Sequence, residues 1–381
     1  MDADLTDASW RAARAAEIAE RALAETVELV SISSPSGDAA AAERAVGAAI
    51  EMLPALAEVE RIDCSSPGHA PDLIATMAGT GERRVLLVGH LDTVVAHSSH
   101  RPAALAGNRM VGSGTVDMKG GDALALGVMR ALAECTGAFA ELALLFVNDE
   151  EFRTAPFVHG PRFEAFDACL CFEGGERLAD GTEAVVVKRK AASAMRVEAD
   201  GVAAHSGANP DEGRSALMAL AGVATDLAAL HDPLGPEALS VVPTMMRAGE
   251  AMNAVPATGE LLVDMRADRE SSFDAVHSAV PQEADGVGFQ VERLRLWPAL
   301  DAREIAAAPL ARAAELLGRP IAGAVRGGAS DASNLAPHIP LAIDGLGPLG
   351  GFAHNPHEHL LVDSLEPRAE VALAIAAAVL E

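Results

Sequence analysis

Asp149, Glu150 and Glu151 follow one another at the end of the apolar run LLFVN. Side chains alternate faces along a strand, so neighbouring acids there point in different directions. Carboxylates gathered at a strand end are costly unless a cation neutralises them. Other residues suited to such chemistry recur along the chain. GHLDTV puts His90 and Asp92 two residues apart just past an apolar run. Imidazole is a good zinc ligand, and a carboxylate on its other nitrogen orients it; a loop histidine capped by an aspartate is the alternative. In GSGTVDMKGG, Asp117 is either a helix N-cap or a carboxylate held by a glycine-rich turn and able to bridge two metals. Glu173 ends the run CLCFE, and GGFAHNPHEHLL offers His354, His357, Glu358 and His359. Two histidines with several carboxylates, all at strand mouths, make a ligand set for two zinc ions.

Strands must bring these residues together. DLIATMAG, RVLLVGH, ELALLFVN and DACLCFE read as strands, and residues 8–30, 38–53 and KGGDALALGVMRALAE as helices. Near-continuous apolar strands alternating with helices predict an α/β domain with a mixed, mostly parallel sheet flanked by helices. Sites in such sheets form at the carboxyl ends of strands. The middle of the chain has a different order: strand 192–200, helix 213–230, strands 239–249 and 259–268, helix 271–282, strand 288–297. This β-α-β-β-α-β order predicts a ferredoxin-like α+β insert. The expected organisation is a catalytic domain over 1–188 and 297–381 interrupted by an insert over 189–296.

Composition excludes other classes. The formal charge of −26 over 381 residues opposes nucleic acid or an anionic membrane as partner. No segment approaches the length of a membrane span, and the N-terminus lacks the basic start and apolar run of a signal peptide. The four cysteines form no CxxC pair, and Cys169 and Cys171 share a strand face. A reduced, cytoplasmic protein is the expectation.

The motifs GHLDTV, GSGTVDMKGG, NDEE, FEGG, AHSGANPDEGRSA and AHNPHE occur in this order over nearly the whole chain. In them the chain resembles the co-catalytic zinc metallopeptidases that include glutamate carboxypeptidase, acetylornithine deacetylase and succinyl-diaminopimelate desuccinylase. VKRK before the insert, and MNAVP and VDMRAD within it, are most similar to the glutamate carboxypeptidase branch. The resemblance implies one zinc on His90, Asp117 and Glu173 and a second on Asp117, Glu151 and His354, with cobalt or manganese also suited to some of these ligands. It implies Glu150 as general base and Asp92 as the group orienting His90. It implies that His205, supplied across a homodimer interface by the insert acting as dimerisation or lid domain, stabilises the oxyanion. Asn253 would lie near the same oxygen or the substrate carboxylate, Arg266 would clamp that carboxylate with help from the amides of Gly327 and Gly328, and Asp331 would be structural.

The expected activity is therefore hydrolysis of an amide bond next to a free α-carboxylate, as in a glutamate-carboxypeptidase-like exopeptidase. An N-acyl-amino-acid deacylase of the acetylornithine deacetylase type uses the same site. A catalytically silent binding protein with this fold is the alternative of a different class. EEFRTAPF departs from the small, glycine-containing stretch usual after the acidic pair, which bears on substrate choice.

Overall fold

The computed structural model describes residues 3–381. The chain forms two compact units: Met1–Lys188 with Leu300–Arg326 and Ser330–Glu381, and Arg189–Ala299 with Gly327–Ala329. In chain order the elements used below are α1 (Ala8–Ser31), β1 (Glu58–Ile62), β2 (Asp72–Ala78), β3 (Arg83–His90), α2 (Gly120–Leu132), β4 (Phe139–Val147) and β5 (Ala168–Cys171). They continue with β6 (Ala191–Asp200), α3 (Ala216–Ala228), β7 (Ser240–Ala248), β8 (Thr258–Ala267), α4 (Ser272–Ser278), β9 (Val287–Trp297), α5 (Asp331–Leu335), β10 (Leu341–Ile343) and α6 (Leu365–Leu380).

The first unit is built on a six-stranded mixed sheet in the order β1-β2-β4-β3-β5-β10. β3 runs parallel to β4 and β5, and β5 parallel to β10, whereas β1 and β2 pair antiparallel. The central strands are buried on both sides: Val85 to Val88 and Leu142 to Val147 are all at 0% exposure. Each such Val, Leu or Phe contributes roughly 1.5–3 kcal/mol on burial, so the register is firmly held. In that register His90 lies opposite Val147, and Val88 opposite Cys171. The carboxyl ends of three adjacent strands therefore open at one place. A one-residue slip of β4 would carry the acids after it about 3.3 Å from their station beside His90.

Helices cover this sheet. α1 starts at Asp7, whose carboxylate accepts the amides of Ser9 at 2.7 Å and Trp10 at 3.3 Å. It turns Ala15, Ile18, Ala22 and Leu29 inward and packs against α2 and α6. α2 begins with Gly120 and Gly121 because nothing larger fits. A Cβ on Gly121 would lie 1.9 Å from the Phe172 carbonyl oxygen, and one on Gly120 would lie 2.5 Å from that of Thr115. This close approach brings the turn carrying Asp117 beside the strand end carrying Glu173.

β1 has no counterpart in the sequence-based expectation. It is a short edge strand with Glu58, Val59 and Glu60 exposed, so it lacks apolar alternation. The second unit has the β-α-β-β-α-β order over β6-α3-β7-β8-α4-β9, with spatial order β7-β8-β6-β9 and every pairing antiparallel. That is the ferredoxin-like arrangement. Its core is Met195, Val197, Leu220, Leu227, Val263, Met265 and Phe273. The expected helix over 271–282 is only Ser272–Ser278 and stops short of Pro281. Among the described residues no helix is long and apolar enough to cross a membrane.

Candidate metal centre

His90 is the last residue of β3 and is 1% exposed. Its Nδ1 faces Asp92, 3.1 Å from the backbone oxygen and 3.4 Å from a carboxylate oxygen. Its Nε2 is thereby aimed outward, 3.2 Å from Oδ1 of Asp117 and 3.8 Å from Oε1 of Glu173. The other oxygen of Asp117 lies 3.0 Å from Nε2 of His354, which is also 3.0 Å from Glu151. Asp117 thus divides its two oxygens between two histidines. The donor atoms of His90, Asp117 and Glu173 lie within 4.8 Å of one another, as do those of Asp117, Glu151 and His354, and each group could hold a metal ion.

Each member is fixed by its own surroundings. Asp117 does not cap α2: the N-cap position is Lys119, with no side-chain cap. Its turn, Thr115–Lys119, is instead anchored by Glu358, a buried carboxylate that accepts the amides of Gly114, Val116 and Asp117 at 2.9, 3.1 and 3.2 Å. His354 adopts φ +62° and Phe352 φ +60°, a left-handed conformation that non-glycine residues take up at a cost and that clusters at functional sites. Of the other histidines in that stretch, His357 is exposed and the ring of His359 packs against Phe352 at 5.9 Å. Neither belongs to a donor group.

The three consecutive acids diverge. Glu151 turns to His354. Asp149 turns back into the protein, accepting from the Ser66 amide at 3.0 Å and from Arg153 at 2.8 and 3.1 Å. Glu150 is half-buried. The carboxylate of Asp92 accepts the amides of Glu150 and Glu151 at 3.2 and 3.1 Å. Asp92 therefore positions His90 and the acidic pair together, a second task that its spacing from His90 does not reveal.

The electrostatics follow from this crowding. Burial works against a charged His90, but hydrogen bonds to Asp117 and Asp92 hold its pKa well above the usual histidine value. Burial likewise opposes the charge on Asp117, and His354 and His90 nonetheless keep it below the usual carboxylate range. His354 is pushed up to about 11 by Asp117 and Glu151. Burial raises Glu150 well above normal; His90 offsets part of this, and the charges of Glu173, Asp331 and Glu151 add to it. Burial also raises Glu151, against the hydrogen bond from His354. Two imidazoles thus face three carboxylates, those of Asp117, Glu151 and Glu173, a nitrogen and oxygen donor set of the kind zinc takes. The further contact of His90 with Asp92 matches the outer partner that metal-bound histidines use. The residues present fit a metal centre.

The remaining predicted site residues belong to the second unit. His205 lies in the short strand Ala204–His205, which pairs with Ala254–Val255. Its Nδ1 accepts the amides of Gly207 and Ala208, both at 3.1 Å, so the neutral ring carries its proton on Nε2. Asn253 adjoins it, its carbonyl accepting the Ser206 amide at 3.0 Å. Arg266, the penultimate residue of β8, has its guanidinium on Asp264 of the same strand, at 3.0 and 3.2 Å. The Gly328 carbonyl accepts from Arg189 at 2.8 Å, and a Cβ at Gly327 would meet nothing within 4 Å.

Sequence reasoning missed Arg153. Its guanidinium, 5% exposed, bridges Asp149 and Asp331 at 2.8 and 2.7 Å and lies 5.0 Å over the Phe157 ring. It ties the segment after Glu151 to the first turn of α5. The only sequence signal was the departure of EEFRTAPF from the usual small residues. Removing one partner of a buried ion pair leaves an uncompensated charge, at about 3–5 kcal/mol. Arg153→Ala should therefore lower the unfolding free energy by roughly that amount, read from the midpoint of urea denaturation.

With this geometry in view, comparison with known proteins is informative. Residues 86–378 match the sequence profile of peptidase family M20/M25/M40. The chain is 28% identical over 285 residues to carboxypeptidase G2 of Pseudomonas sp. (strain RS-16), covering 71% of this chain and 66% of that one, just under two thirds of its length. It is 28% identical over 344 residues to the succinyl-diaminopimelate desuccinylase of Rhodopseudomonas palustris, covering 81% and 86%. In fold it is similar to the aminopeptidase PepT of Bacillus cereus, with a TM-score of 0.75 at 21% identity over 95% of this chain and 99% of that one. The M20 family metallo-carboxypeptidase Sso-CP2 of Sulfolobus solfataricus gives a TM-score of 0.72 at 14% identity over 94% and 99%. The chain belongs to peptidase family M20/M25/M40.

Proposed function

We propose that the protein is a two-zinc exopeptidase that cleaves an amide bond beside a free α-carboxylate, in the manner of a glutamate carboxypeptidase. The observation that carries this reading is the division of Asp117 between His90 and His354, with the Glu150 amide held by Asp92, the residue that also meets His90. His90, Asp117 and Glu173 would hold one ion, and Asp117, Glu151 and His354 the other. When bound, the ions would supply Lewis acidity and make water acidic enough to give up a proton near neutral pH.

The chain's own residues do the rest. Glu150 takes a proton from the attacking water on a carboxylate oxygen and delivers it to the amide nitrogen as the C–N bond breaks, leaving an acid and an amine. Asp92 keeps that carboxylate in place through the Glu150 amide. His205 donates from Nε2 to the carbonyl oxygen as it gains negative charge. Arg266 exchanges Asp264 for the substrate α-carboxylate, to which a guanidinium binds bidentately, with Asn253 and the amides of Gly327 and Gly328 as further donors. An N-acyl-amino-acid deacylase is the second reading. It is favoured by the longer match to a desuccinylase, 81% of this chain against 71% for the carboxypeptidase.

We also propose a homodimer in which His205 serves the partner's metals. The second unit has an edge strand, β7, with Val242 and Met245 exposed, beside α3 with Leu217 and Met218 exposed. A sheet edge with apolar surface is suited to pairing with a twin.

Glu150→Gln keeps shape and removes basicity. It should retain the wild-type metal content and lower kcat about 10²–10⁴-fold on dipeptides or N-acyl amino acids. Near-normal turnover with metal retained would refute the base assignment. Mixing inactive Glu150→Gln and His205→Ala subunits tests the shared site. A heterodimer should regain up to about half of the wild-type activity, because one of its sites carries both defects and the other neither. No recovery, with subunit exchange verified by mass, would exclude it.

A further inference from the structure

Beside the second donor group the first unit holds a cavity of about 320 Å³ with His354 in its wall. Val94, Val95, Ala96 and Pro356 give it an apolar lining, and Arg101 is its one charged group other than His354. No carboxylate lines it, although the chain has 55 acidic residues against 29 basic ones. Arg101 is held from both ends: its amide donates to the Ser113 hydroxyl at 3.0 Å and its Nη1 to the Pro356 carbonyl at 2.8 Å. Among the described residues no Asp or Glu pairs with it, whereas most surface arginines of this acidic chain, including Arg61, Arg83, Arg162, Arg247 and Arg312, have such a partner. Pro356 lies two residues from His354, so the same turn presents a donor imidazole and fixes this guanidinium.

We infer that this cavity is a specificity subsite, in which Arg101 binds a second carboxylate carried on a short apolar stem of the substrate. This rests on the amide hydrolysis proposed above and adds the substrate class: an amide bearing an anionic group besides its α-carboxylate. A guanidinium with free N–H donors and no competing acid binds a carboxylate bidentately, and the apolar walls accept the methylenes that carry it. The carboxylate can belong to the acyl group or to the side chain of the released amino acid; the chemistry at Arg101 is the same.

Two matched pairs separate these sources: an N-succinyl against an N-butyryl amino acid, and a dipeptide ending in Glu against one ending in Gln. With zinc-loaded wild-type enzyme, kcat/KM should favour the anionic member of at least one pair by about tenfold or more, the scale of one charge-assisted contact. Arg101→Gln should remove about that preference and Arg101→Lys restore part of it; the pair that responds identifies the source. Anionic-to-neutral ratios within about twofold of wild type in Arg101→Gln, for both pairs, would overturn the proposal. Should none of the four compounds be cleaved, the hydrolytic reading fails separately, and calorimetry with glutarate and butyrate decides the subsite. Glutarate should bind the wild-type holoenzyme more tightly than butyrate, and Arg101→Gln should lose that difference. An unchanged difference would overturn the subsite. Metal content and thermal midpoint of each variant verify that the centre and the fold are intact.

Discussion

Carboxylate repulsion at the mouth of three parallel strands is the constraint on which the rest of this structure depends. Asp117, Glu150, Glu151 and Glu173 are brought together, with His90 and His354 facing them. Taking such ions out of water costs several kcal/mol each, and their mutual repulsion adds to that. The fold resists this with packing rather than with charge. The strands beneath are fully buried, and Gly121 lets α2 approach the Phe172 carbonyl until the two acidic turns meet. Asp117 is the one group shared by both halves of the cluster. A bound metal would relieve this repulsion, so binding and folding free energies would be linked here.

The acidic triplet shows how the sequence handles opposite demands on adjacent residues. Asp149 faces inward and is neutralised by Arg153, while Glu151 faces His354 and Glu150 is half-buried. Asp331, paired with the same arginine, still adds to the charge felt by Glu150. Asp92 has two roles because both of its carboxylate oxygens accept amides of the acidic pair while its backbone oxygen and one carboxylate oxygen meet His90. Geometry at the base and geometry at the first histidine are therefore coupled through one side chain.

The strands that position the centre were legible because burial on both faces leaves long apolar runs, as in RVLLVGH and ELALLFVN. In the insert, β6 and β8 alternate buried with more exposed residues, which gives those two strands a legible period of two. β1 was not, since an exposed edge strand carries no such pattern. For the candidate site, each motif alone left alternatives open, and Asp117 could as well have capped a helix. Only the side-chain geometry separates the capping aspartate from one whose oxygens face two histidines. Glu358, Arg153 and the second role of Asp92 act across 58 to 244 residues of chain, through amides and buried ion pairs that local spacing does not encode.

The proposed sharing of Asp117 between two metals is tested most directly by metal content. Wild-type protein and Asp117→Ala and Glu151→Ala variants would be loaded with zinc, freed of excess by gel filtration and analysed by mass spectrometry. Wild type should hold about two zinc ions per chain, Glu151→Ala about one, and Asp117→Ala close to none. An Asp117→Ala variant that is folded and still holds two ions would contradict the account.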